Sequence, residues 1–240
     1  MTQESHLSED DGNIGIVLLA AGASRRMGSP KQLIALGGVS LIRRSAEHAL
    51  DSGCRPTVVV LGSNADRIAP ELNGLALNIT VNRQWATGMA SSIRCGLKAL
   101  LAIDSHVRGV VLFLGDQPNV TGSSLRRLNR AHMQSGSGLI AASYSGCVGT
   151  PALFSRAYFP ELLQIDGQGG AKNLLGRHAR RIFPIDFPEA ACDLDTPRDL
   201  ANLSGTTRSE DRNSSRQEGP RPAETSRSWV GIQTLNPTVR

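Results

Sequence analysis

Short apolar runs alternate with stretches of helical spacing along most of the chain. Residues 14–20, 57–61, 76–81, 109–114 and 138–143 hold apolar residues over a strand's length and are expected as buried strands. Between them, residues 41–50, 65–72, 92–103 and 123–134 place apolar side chains three or four positions apart, which predicts helices. Ser91, and Thr121 or Ser123, stand where N-caps are expected. Strand and helix in alternation imply right-handed crossovers and an α/β fold, a mostly parallel sheet with helices on both faces.

The pattern stops near Gly205. The polar stretch that follows, rich in Arg, Ser and Glu, cannot bury enough apolar surface to offset its ordering entropy. The expected organisation is a flexible N-terminus over 1–12, one domain over 13–204 and a disordered tail over 205–240. Trp229, Val230, Ile232 and Leu235 form a small apolar patch in that tail.

Composition narrows the class. The chain has 240 residues, 40% hydrophobic and 20% charged, as globular domains do. No apolar run approaches the ~18 residues of a membrane span. Glu4, Glu9, Asp10 and Asp11 oppose a signal peptide's basic start, so a cytoplasmic protein is expected. Cys54, Cys95, Cys147 and Cys192 are scattered without metal-ligand spacing and are expected as reduced thiols. A net charge of +5 without like-charge blocks, and 4% aromatics, gives no footprint for nucleic acid. Lys31, Lys98 and Lys172 are the only lysines among 26 basic residues. A Lys inside a Gly-rich loop therefore invites a chemical role.

That loop is Leu18-Leu19-Ala20-Ala21-Gly22-Ala23-Ser24-Arg25-Arg26-Met27-Gly28-Ser29-Pro30-Lys31-Gln32-Leu33. Small residues after a buried strand let backbone N–H groups approach anionic oxygens. Arg25, Arg26 and Lys31 add cations for a polyphosphate. The spacing fits neither a P-loop nor the dinucleotide fingerprint. A second strand ends in Gly115-Asp116-Gln117-Pro118, and parallel strands deliver both ends to one crevice. Asp116 facing a triphosphate suits Mg²⁺, although an Asp after a strand is more often a turn or cap residue. Thr196-Pro197 reads as an N-cap with Pro at N1.

The stretch LAAGASRRMGSPKQL resembles the signature L-A-A-G-x-S-x-R-M-G-x-P-K of the nucleotidyltransferases that share a fold with the molybdenum-cofactor enzymes. Within that superfamily it is most similar to the molybdenum cofactor cytidylyltransferases. The resemblance, carried from Ile14 to Leu203, implies a three-layer, Rossmann-like fold of the nucleotide-diphospho-sugar transferase kind. It implies that Leu19 and the backbone of Ala20, Ala21 and Gly22 hold base and phosphates. Arg26 would bind the triphosphate, Lys31 would steady charge at the α-phosphate, and Asp116 would hold Mg²⁺, with Mn²⁺ as substitute. A D-x-D-T-P segment implies Asp195, preferred to Asp193, as second metal ligand. Residues 82–92 resemble N-x-x-W-x-x-G-M-x-x-S, which implies nucleotide or ribose contacts at Gly88 and around Ser91 and Ser92; the plainer reading of the residues themselves is Trp85 in the core and Ser91 as a cap. Residues 149–154 and 167–172 resemble G-[HT]-P-x-L-F and G-D-x-G-A-[RK], which implies acceptor contacts at Gly149, Thr150, Pro151, Gly170 and Lys172. The sequence departs from the commoner form at Thr150 and Gln168.

The implied reaction moves CMP from CTP to the terminal phosphate of molybdenum-bearing molybdopterin and releases pyrophosphate. The implied partners are CTP, molybdopterin and a recipient molybdenum hydroxylase apoenzyme; a monomer is expected, with no nucleic acid and no membrane. Three alternatives stand beside it: guanylyl transfer, an isoprenoid-pathway cytidylyltransferase, and a non-catalytic cofactor carrier. L-A-A-G rather than L-A-G-G favours CTP, and the absence of H-D-A-A-R-P at Asp116 counts against the isoprenoid type.

Overall fold

A computed structural model describes residues 13–191 together with Leu194, Thr196 and Asp199. The expected terminal segments 1–12 and 205–240, and Asp193 and Asp195, lie outside the described residues. Strand β1 (Ile14–Leu19) is buried at all six positions. Such an unbroken apolar run is the mark of a strand covered on both faces. After it come a small antiparallel hairpin, β2 (Ala35–Leu36) and β3 (Val39–Ser40), then α1 (Leu41–Asp51), β4 (Thr57–Leu61), α2 (Ala65–Ile68) and β5 (Asn78–Val81). The second half supplies α3 (Met89–Ile103), β6 (Gly109–Leu114), α4 (Gly122–Ser135), β7 (Leu139–Tyr144), β8 (Cys147–Ser155), α5 (Phe159–Gln164), α6 (Gly170–Arg177) and β9 (Phe183–Asp186).

Seven strands form one sheet in the order β5-β4-β1-β6-β8-β7-β9. β5, β4, β1 and β6 are mutually parallel, β8 runs antiparallel to both its neighbours, and β9 is parallel to β7. Successive residues of a strand feed opposite faces. Val17, Val58, Val60 and Leu112 pack beneath α3, α5 and α6, whereas Ile16, Val59, Val111 and Phe113 pack beneath α1 and α4. The three-layer α/β architecture is the one the alternating pattern predicts.

The differences have local causes. β8, β9, α5 and α6 were not among the expected elements. β8 carries Gly149, Thr150 and Pro151, which break its apolar pattern, and it is entered through a Ser145-Gly146 turn at φ 50° and 74°, the hairpin-type turn that two positive φ angles allow. β9 is short and contains Pro184, which confines it to an edge. The single helix expected over 65–72 divides at Pro70 into α2 and the 3₁₀ turn Ala69–Leu72. α3 begins with Gly88 in the cap position, so Ser91 is no cap; its hydroxyl donates inside the first turn to the carbonyls of Gln84 (3.0 Å) and Gly88 (2.8 Å). Thr121 does cap α4, accepting from the Ser124 N–H at 3.2 Å. Thr196 and Asp199 form a reciprocal cap, the Thr196 N–H donating to Asp199 Oδ2 at 2.7 Å and the Asp199 N–H donating to Thr196 Oγ1 at 3.4 Å. Among the described residues no helix is long and apolar enough to cross a membrane.

α3 lies hard against the centre of the sheet because Gly96 faces it. A Cβ there would meet the Val17 side chain and stand 2.7 Å from Val60 Cγ2. Gly96→Ala is therefore expected to cost about 1–3 kcal/mol through overpacking. Urea unfolding checks this; an unchanged midpoint would mean that α3 moves aside freely.

Candidate functional site

The site follows from one register. Leu19, the last residue of β1, stands opposite Leu114, the last of β6, and the Gly115 N–H donates to the Leu19 carbonyl at 3.0 Å. The loops after both strands therefore leave the sheet side by side. Between them Lys31 Nζ meets Asp116 Oδ2 at 2.7 Å, both side chains largely buried. Residues 85 far apart in sequence thus form one ion pair.

Around this pair opens a cleft of about 610 Å³. Leu19, Ala20, Ala21, Gly22, Arg26, Lys31, Gly88, Ser92 and Asp116 all line it. The first wall is the loop after β1. Ser24 there adopts a left-handed conformation (φ 53°, ψ 37°) and Gly28 another (φ 69°), with the short 3₁₀ turn Arg25–Met27 between them. The second wall is the start of α3. Gly88 sits at φ 122°, and a Cβ on it would lie 2.6 Å from the Gly167 carbonyl oxygen, so glycine alone fits that approach. The buried Asn82 amide donates to Ser91 Oγ (2.8 Å) and Ser92 Oγ (3.0 Å), fixing both hydroxyls. Trp85 packs on the core, as expected, and also lines the cleft.

None of the residues assigned to the acceptor is among those that line the cleft. Gly149, Thr150 and Pro151 lie on β8, and Lys172 is exposed on α6. Gln117, buried directly after Asp116, ties them in by donating to the carbonyls of Thr150 (3.2 Å) and Ala190 (3.3 Å). Gly170 packs on the cleft-lining Met89. Gln168 itself lines the cleft. Arg25, expected with Arg26 and Lys31 as a cation for a polyphosphate, lines the cleft, whereas sequence reasoning gave no role to Gln32, which lines it while almost wholly buried. Nothing in the sequence marks a lone Gln.

Asp116 has the donor chemistry for a divalent cation. Oδ2 is engaged by Lys31, whereas Oδ1 is buried without a hydrogen-bond partner. A carboxylate oxygen left without a partner, on a residue that lines a phosphate-sized cleft, suits a hard cation such as Mg²⁺. Among the described residues no cluster of three or more acidic, His or Cys side chains gathers, so phosphate oxygens would complete the coordination. The Leu194 N–H donates to the Asp116 carbonyl at 2.9 Å.

A mostly parallel α/β sheet with a small-residue loop, a Lys–Asp pair and a cleft at its carboxyl edge defines a nucleotidyltransferase domain. The chain belongs to the MobA-like NTP transferase domain family, whose model matches residues 16–182. It is 30% identical over 201 residues to nicotine blue oxidoreductase of Paenarthrobacter nicotinovorans, covering 78% of this chain and 94% of that protein. The crystal structure of Rv0371c from Mycobacterium tuberculosis H37Rv is 30% identical, with a TM-score of 0.69 over 80% of this chain and 98% of that one. Rv0371c in complex with manganese aligns at 28% identity with a TM-score of 0.65, over 80% of this chain and 97% of that one. A nucleotidyl transferase from Methanothermobacter, at 21% identity and a TM-score of 0.68 over 82% of this chain and 98% of that one, shares the fold.

A cation bound at Asp116 must compete with Lys31 for the carboxylate. Lys31→Met is expected to bind Mn²⁺ several-fold more tightly than the parent protein without nucleotide. Asp116→Asn loses a charged contact worth about 1.5–3 kcal/mol and should bind about tenfold more weakly or worse. Titration followed by electron paramagnetic resonance measures both; equal affinities in all three proteins would remove Asp116 from the metal site.

Proposed function

We propose that the chain transfers CMP from CTP to the terminal phosphate of molybdenum-bearing molybdopterin, giving the cytosine dinucleotide and pyrophosphate. The observation that carries this reading is the Lys31–Asp116 pair at 2.7 Å, set where the small-residue loop opens onto the cleft. The N–H groups of Ala21, Gly22 and Ala23 make no hydrogen bond among the described residues, and they line the cleft as donors for phosphate oxygens. Arg26 holds the triphosphate, and Lys31 turns from Asp116 to the α-phosphate, where negative charge builds during transfer. Mg²⁺ or Mn²⁺ held by Asp116, and by Asp195 in the late D-L-D segment, would neutralise charge on the phosphates; the manganese complex of Rv0371c supports a divalent site.

An acceptor phosphate oxygen forms the new bond to the α-phosphorus, and the bond to the bridging oxygen breaks as pyrophosphate leaves. A phosphomonoester is already a dianion near neutral pH, so positioning and charge neutralisation suffice without a strong general base. Gly149, Thr150, Pro151, Gly170 and Lys172 receive the acceptor. CTP is preferred to GTP because Leu19-Ala20-Ala21-Gly22 resembles the cytidylyl signature. The product then passes to a molybdenum hydroxylase apoenzyme. A redox role is the second reading, favoured by the name of the relative at 30% identity.

Calorimetric titration with Mg·CTP and Mg·GTP, followed by pyrophosphate release in the presence of acceptor, tests the proposal. CTP is expected to bind in preference. Lys31→Ala and Asp116→Ala should each lower turnover by about 10²–10³ with melting temperature unchanged. Preference for GTP would move the product to the guanine dinucleotide, and the absence of pyrophosphate release would overturn the transferase assignment of this site.

A further inference from the structure

We propose that Gln32 is the positioning residue of the nucleotide loop, setting which way its peptide groups face. The inference rests on the nucleotide-binding reading above and concerns a residue that touches the loop from behind. Gln32 is only 3% exposed. Its Nε2 donates to two carbonyls of the loop, Ala20 at 3.0 Å and Gly22 at 2.9 Å. Its Oε1 accepts from Ser24 Oγ at 3.2 Å, and the same Ser24 oxygen accepts from the Lys31 N–H at 3.0 Å. One buried carboxamide thereby joins both ends of the loop to the residue that carries the reactive ammonium.

The consequence is directional. The Leu19 carbonyl is held by the Gly115 N–H (3.0 Å) and the Ala21 carbonyl by the Ser63 N–H (3.1 Å). With Gln32 holding the other two, every carbonyl from Leu19 to Gly22 is bound to the body of the protein. A peptide whose oxygen is fixed inward presents its N–H outward, and the N–H groups of Ala21, Gly22 and Ala23 have no partner among the described residues. Carbonyl oxygens turned the other way would face phosphate oxygens and repel them. The same bonds steady Ser24 in its left-handed conformation, an uncommon state for a residue with a Cβ.

Gln32→Glu keeps the shape, removes both donors and places a carboxylate against two carbonyl oxygens. Gln32→Met keeps the volume without charge and serves should the Glu variant fail to fold. In each folded variant the affinities for Mg·CTP and for inorganic triphosphate are expected to fall together by about tenfold or more, because the lost contacts are to phosphate. Mn²⁺ binding at Asp116 without nucleotide should stay at the parent value, which general loosening of the fold would not allow. Parent-like nucleotide affinity in Gln32→Met, or parallel loss of Mn²⁺ and nucleotide, overturns the positioning role alone. A parent protein that binds neither CTP nor triphosphate overturns the functional reading, and this role with it.

Discussion

The pairing of Leu19 with Leu114 across β1 and β6 is the constraint on which the site depends. Parallel strands in register end at the same height, so the loops that follow emerge as neighbours whatever their distance in sequence. This brings Lys31 within a hydrogen bond of Asp116 and sets the Gly22 loop beside both. The buried sheet beneath supplies rigidity, since Val17, Val60 and Leu112 leave no exposed area on which to slide. A one-residue slip would send every side chain of β1 to the wrong face and carry the loop away from Asp116.

Much of this was legible in the sequence because it lies in parallel strands. Residues 14–19, 57–61 and 109–114 are unbroken apolar runs, and burial on both faces leaves that signature. The loop was legible through its small residues and cations, and Asp116 through its place at a strand end. Where the chain turns back on itself the signal fades. β8 places Gly149, Thr150 and Pro151 in a strand, and its pairing with β7 shifts register between Ala141 and Ala142. The start of α3 was misread because Ser91 resembles a cap, while the cap position belongs to a glycine held by the approach of Gly167. Gln32 was illegible for another reason. It bonds two carbonyls, twelve and ten residues earlier, and a hydroxyl eight residues earlier, and no property of glutamine announces that it will be buried.

The relatives show how far the fold leaves chemistry open. A protein named for oxidoreduction and another crystallised with manganese match nearly their whole lengths to this chain. Function on a shared scaffold is decided by side chains at the site. Here those are a lysine and an aspartate paired in a cleft, with one carboxylate oxygen left unbonded. That set favours the handling of phosphate and a hard cation over other chemistry.

The position of β8 has a consequence for biosynthesis. β6 lies between β1, made earlier, and β8, made later, and its core residues Val110 to Phe113 are fully buried in the finished sheet. As the polypeptide leaves the ribosome, β1, β4, β5 and β6 are all made before β8, so the apolar border of β6 that β8 covers has no partner strand until then. Such a border is a template for unwanted pairing between nascent chains until the Ser145-Gly146 hairpin closes and lays β8 against it.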